Sequence, residues 1–171
     1  MKQVETSLDI AAPPMKVWRA LCDFSAYPRW NPYRVIDGVA GLDEKVVLRI
    51  GSDPAKRRPV PARITAFEPG KLLVFKTGRP LLIYATETFE LERSQRGTRL
   101  RHIARMSGVG AGLIGRLTFG PKLIAVYDRV DDALADYVAP GRQPKRRLRS
   151  DSATGPGGPK AANRAGGRHG Q

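Results

Sequence analysis

Residues 98–106 read TRLRHIARM, and residues 121–138 read PKLIAVYDRVDDALADYV. Between them the hydrophobic period changes, and that change decides the fold. In the first segment Leu100, His102, Ala104 and Met106 alternate with Arg99, Arg101 and Arg105. A period of two sends successive side chains to opposite faces of a strand. In the second, Leu123, Ile124, Tyr127, Val130, Leu134 and Val138 keep one apolar stripe at helical spacing, which Leu113 and Leu117 extend backward. Gly120-Pro121 is expected to kink or restart this helix, because proline cannot bond the preceding turn.

Strands also precede residue 98. Leu81 to Glu92 is long and rich in aromatic and β-branched residues, and Gly97 lies in the hairpin that follows it. Leu72 to Lys76 follows the turn Glu68-Pro69-Gly70. Val60, Ala62, Ile64 and Ala66 form a period-2 set in which Pro59 and Pro61 predict an edge or irregular strand. Val46, Leu48 and Ile50 alternate with Lys45, Val47 and Arg49. At the N-terminus Val4, Thr6, Leu8 and Ile10 alternate with Glu5, Ser7 and Asp9. Pro13-Pro14 then starts a helix with Val17, Trp18, Leu21 and Cys22 at helical spacing, and Phe24 to Trp30 reads as a second short helix or turn. This order fits an antiparallel sheet with one helix-covered face, an α+β arrangement, and not parallel βαβ units.

Residues 1–140 have the composition of one domain. From Gly141 to Gln171 the only large apolar residue is Leu148, and eight Lys or Arg stand against Asp151 alone, so half of the net charge of +14 lies there. Such a stretch buries too little surface to offset its ordering entropy and is expected to be a disordered basic tail. A lone cysteine, Cys22, offers no internal disulfide, and with His102 and His169 as the only histidines a metal cluster is not expected. No cofactor is expected either. With no apolar run long enough to span a bilayer and no secretory pattern at the N-terminus, the expected location is cytoplasmic.

Ile10, Ala12-Pro13, Val17-Trp18, Leu21 and Asp23, then Tyr27-Pro28 and Trp30-Asn31-Pro32, resemble the opening signature of the START-like superfamily. That superfamily includes polyketide cyclases, Bet v 1-like proteins and lipid-transfer domains. Phe67-Glu68-Pro69 before Leu73 and Phe75, then Phe89 and Leu91, and finally Gly97-Thr98, His102 and Ser107-Gly108 agree in order, so the likeness covers residues 3 to 138. It implies a helix-grip fold: seven antiparallel strands curved around the long C-terminal helix, two short helices after the first strand, and a ligand tunnel between sheet and helix. Glu87 stands where many relatives have a neutral residue or histidine.

The tunnel lining would include Leu48, Phe75, Phe89 and Leu100 from the inward faces, with Tyr27 and Trp30 either at its mouth or packed in the core. Glu87 and His102 lie on inward, otherwise apolar faces of neighbouring strands and would meet across the pair. They read as a buried polar pair, as a ligand anchor, or, with Tyr127, as acid–base candidates. Trp18 and Cys22 read as core, Asn31-Pro32 as a turn fixture, and Arg99, Arg101 and Arg105 as an outer face.

Three functions are open at this level. The first is binding of a small apolar, aromatic or lipid-like ligand. The second is a cyclase- or dehydratase-like reaction in the same cavity. The third is contact with nucleic acid or anionic membrane through Lys145, Arg146, Arg147 and Arg149.

Overall fold

The structure is a computed structural model of the chain and describes residues 2–79, 82–108 and 121–146. The alternating N-terminal segment forms β1 (Lys2–Ile10). Pro13 then stands at the N-cap of α1 (Pro14–Cys22), which buries Val17, Trp18, Ala20 and Leu21. A 3-10 turn (Phe24–Ala26) leads into the short α2 (Tyr27–Trp30).

Six strands follow: β2 (Arg34–Asp37), β3 (Lys45–Ile50), β4 (Arg58–Glu68), β5 (Leu72–Arg79), β6 (Ile83–Ser94) and β7 (Gly97–Ser107). The four-residue β2 was not singled out by its sequence pattern, being too short to show a period. The long helix α3 (Pro121–Val138) begins at the proline expected to start it. Leu113, Leu117 and Gly120 of the expected stripe lie outside the described residues, as does Leu81.

The sheet is antiparallel, in the order β2-β3-β4-β5-β6-β7-β1-β8. The closing member, β8 (Lys145–Arg146), pairs with Asp9 and Leu8 of β1. Two residues of the stretch expected to lie beyond the domain are therefore in the sheet, which has an eighth strand where seven were expected. Residues 147–171 lie outside the described residues.

Pro59 and Pro61 do not make β4 an edge strand, since it lies between β3 and β5. They fall where β4 pairs with β3 alone, because its ladder to β5 starts only at Ala62↔Thr77. A missing N–H is tolerated on such a one-sided stretch. The expected irregularity is present as a register shift between Ile64 and Ala66.

The inward residues of the strands pack with α1, α2 and α3 in one core containing Leu8, Leu21, Leu48, Phe75, Phe89, Leu100 and Leu134. Gly97 shapes one end of it. Its φ is +129°, and a Cβ there would stand 2.6–2.8 Å from backbone atoms of Ile10 and Ala12, a contact only glycine avoids.

Candidate functional site: a buried charged chain under the long helix

The β6–β7 register pairs Phe89 with His102 and Glu87 with Ala104, so Glu87 and His102 are diagonal neighbours on the concave face. Their side chains meet, with His102 Nε2 2.9 Å from Glu87 Oε1. The expected pair exists, and it is the centre of a longer chain. His102 Nδ1 is 2.8 Å from Oδ1 of Asp131 on α3. Thr6, opposite His102 on β1, donates its hydroxyl to Oδ2 of Asp131. At the other end Arg34 of β2 places Nη2 2.9 Å from Oε1 and 2.7 Å from Oε2 of Glu87.

The order Arg34, Glu87, His102, Asp131, Thr6 determines the protonation. Both ring nitrogens of His102 face carboxylate oxygens, which only accept, so satisfying both requires the imidazolium with two N–H donors. The His102 side chain is 1% exposed and that of Asp131 0%. Burial alone would lower the histidine's pKa, but Asp131 first and Glu87 second raise it to about 9. Burial alone would raise that of Glu87, but Arg34 and His102 hold it at about 2. Two cations and two anions then cancel, the condition under which buried charges persist.

Aromatic rings enclose the imidazolium. Phe89 stacks on one side, with centroids 4.2 Å apart and planes 23° off parallel, and Tyr127 on the other at 4.0 Å and 7°. Ring faces are negative, so the sandwich favours the cation. Burial first, then Glu87, raises the pKa of the Tyr127 hydroxyl well above its ordinary value. That group is a proton donor in a hydrogen bond and not a phenolate nucleophile.

The other sequence candidates are packed side chains. Tyr27 is buried and donates its hydroxyl to the Leu21 carbonyl at 2.9 Å, so it belongs to the core and not to a rim. Trp30 packs on Tyr27 at 4.6 Å. Leu48, Phe75, Phe89 and Leu100 are all buried. Trp18 is core against Phe67, and Asn31 accepts the Tyr33 N–H in a turn. Cys22 is half-buried, and burial pushes its thiol up to about 12. Arg99 and Arg101 are not simply solvated: each bridges two acids on the convex face, Asp9 and Glu92 for one, Glu5 and Glu90 for the other.

Sequence reasoning missed Arg34 and Asp131. Asp131 lies four residues after Tyr127 and three before Leu134, within the apolar stripe, and that position was its signal. Arg34 shares a strand face with the buried Ile36. Three buried donors, Trp30 Nε1, Arg34 Nε and, on the convex face, Arg99 Nε, have no hydrogen-bond partner among the described residues.

A cleft of about 810 Å3 lies elsewhere, at the start of α1, and none of the nine expected ligand residues lines it. Among the described residues no group of His, Cys, Asp or Glu could hold a metal ion. Among them, too, no helix is long and apolar enough to cross a membrane.

Comparisons agree with this architecture. The family model described as polyketide cyclase / dehydrase and lipid transport matches residues 1–139. No curated protein matches the chain. Among solved structures, protein CV1439 from Chromobacterium violaceum is 17% identical, with TM-score 0.62 over 82% of this chain and 99% of that one. Ara h 8.0201 is 16% identical, with TM-score 0.61 over 80% and 97%. DynU16, a protein in the dynemicin biosynthetic locus, is 16% identical with TM-score 0.63, and the match covers 83% of this chain and 49% of that one.

Proposed function

Because the chain belongs to the polyketide cyclase / dehydrase and lipid transport family, within the START-like superfamily, we propose that it binds a small apolar, aromatic or lipid-like molecule between the concave sheet face and α3. One observation carries this reading. A charge-neutral chain of four ionised side chains lies among otherwise apolar side chains, with His102 between two aromatic rings. Ligand sites characteristically combine apolar lining with a few convergent polar groups.

In this reading Leu48, Phe75, Phe89 and Leu100 offer apolar contact, and Glu87, His102 and Tyr127 form the polar end. The unpartnered N–H groups of Trp30 and Arg34 favour a ligand with an acceptor oxygen. Because the chain of charges is already balanced, a neutral carbonyl or hydroxyl suits it better than a second carboxylate. Binding is favoured over proton-transfer catalysis, since His102 already donates both N–H groups and has no free lone pair. A cyclase- or dehydratase-like reaction at this place would require Glu87 or His102 to release its present partner.

Native mass spectrometry of freshly purified protein tests the proposal. The expected result is a mass above that of the polypeptide, lost on organic extraction, together with a fluorescent apolar probe that the extract displaces. A bare polypeptide mass and no probe binding would overturn it.

A further inference from the structure

The cleft at the start of α1 is a built surface feature outside the charged chain. It exists because neighbouring strands end at different heights. β5 begins at Leu72, opposite Glu90, while β6 runs on to Ser94. Residues 91 to 94 of β6 thus extend past the end of β5, held there by the Leu91 N–H donating to the Lys71 carbonyl at 2.7 Å.

The first residues of α1 form the facing wall. Pro13, Pro14 and Met15 line one side, and Leu72 and Leu91 the other. Met15 is 45% exposed, the kind of surface apolar side chain that marks a binding face when it rims a concavity. Gly70 completes the wall: its φ is +72°, and a Cβ there would meet the Met15 sulfur at 2.8 Å, so the thioether occupies the space a side chain would need.

The charges around this apolar cleft are unequal in their commitments. Glu90 and Glu92 line it, but each is ion-paired on the convex face, to Arg101 and Arg99 respectively. Lys71 and Arg93 also line it, are exposed, and make no ion pair among the described residues. The cleft therefore presents an apolar groove with two cations that make no ion pair among the described residues, while its two acids turn to arginines that each hold a second acid as well, Glu5 on Arg101 and Asp9 on Arg99.

We propose that this cleft is a second ligand site, for an apolar chain ending in a single anionic group such as a carboxylate. The chain lies along Met15, Leu72 and Leu91, and the anion sits between Lys71 and Arg93. It differs from the interior site in chemistry as well as place. The interior charges are paired with one another and suit a neutral acceptor, whereas the cleft holds two exposed cations that make no ion pair among the described residues.

Methionine methyl groups separate the two sites. The chain has three methionines, and Met15 lies in the cleft while Met106 is buried on the concave face. Protein labelled at the methionine methyls is titrated with dodecanoate and, separately, with dodecanol. Dodecanoate should shift Met15 saturably and bind it about tenfold more tightly than the alcohol, the gain expected from two partly exposed ion pairs. The Lys71→Glu/Arg93→Glu variant should lose that preference, and the milder Lys71→Gln/Arg93→Gln variant should reduce it. Three outcomes would overturn the proposal: Met106 shifting while Met15 does not, equal affinity for acid and alcohol at Met15, or unchanged dodecanoate binding in both variants. Loss of the interior site would leave the Met15 response intact, so the two readings fail separately.

Discussion

Asp131 Oδ1 stands 2.8 Å from Nδ1 of His102, and this bond ties the middle of α3 to a strand 29 residues earlier in the chain. Together with the Glu87 contact on the opposite ring nitrogen it makes His102 a fixed cation and not a free base. The helix is thereby held to the sheet by a directed interaction as well as by apolar packing.

Titration of His102 tests that arrangement. Its pKa is expected at about 9 in the wild type. Asp131→Asn should lower it further than Glu87→Gln, because Asp131 is the larger of the two raising influences and, unlike Glu87, pairs with no arginine among the described residues. NMR titration of the ring protons gives both shifts. Equal pKa values in the wild type and both variants would show that the carboxylates and the imidazole are uncoupled.

Stability should depend on pH at both ends. The folded pKa of Glu87, about 2 against an ordinary 4.5, lies below its unfolded value, so its contribution is complete above 4.5 and is lost as pH falls toward 2. That of His102, about 9 against 6.5, lies above its unfolded value, so its contribution is complete below 6.5 and is lost as pH rises through 9. The joint contribution is therefore greatest between 4.5 and 6.5. Urea unfolding below, within and above that window measures it, and His102→Gln should flatten the alkaline side.

Arg34→Met should cost about 3 kcal/mol or more, the usual penalty for stranding one partner of a buried ion pair. Arg34→Lys should be only partly conservative, because a lysine lacks the planar guanidinium that Glu87 meets with both oxygens. In a double-mutant cycle, Arg34→Met with Glu87→Leu should be less destabilising than the sum of the two single changes. Strict additivity would count against the pair.

Gly97→Ala should lower stability by at least about 1–3 kcal/mol, since its Cβ would press on the backbone of Ile10 and Ala12 at a positive φ. Chemical denaturation measures this. A neutral substitution would mean that the hairpin and the end of β1 separate easily.

Two truncations separate the sheet from the basic tail. Deletion after Arg146 keeps β8 and should leave Tm unchanged, whereas deletion after Pro140 removes β8 and should lower it by a few degrees, the effect of about 1 kcal/mol. We also propose that the basic stretch Lys145, Arg146, Arg147 and Arg149 attracts polyanions, either nucleic acid or anionic membrane. Both truncations should then weaken binding to DNA or anionic vesicles and flatten its salt dependence, measured by co-sedimentation across a salt series.

Period and punctuation by themselves determined most of the architecture. The alternation in β1, β3, β4 and β7, the prolines opening α1 and α3, and the stripe from Leu123 to Val138 are local signals that tertiary packing did not override. The inward placement of Glu87 and His102 was legible for the same reason, since a strand assigns faces by parity. β2 was not legible, because four residues carry no readable period, and the one-sided setting of Pro59 and Pro61 appeared only once strand order was known. The partners of the charged pair depended on tertiary structure alone. Asp131 is separated from Thr6 by 125 residues, and Glu87 from Arg34 by 53. Neither spacing has a local signature, because such contacts arise only when the sheet curls and α3 crosses it. A sequence period tells which way a side chain faces; what it meets there is set by the packing of distant segments.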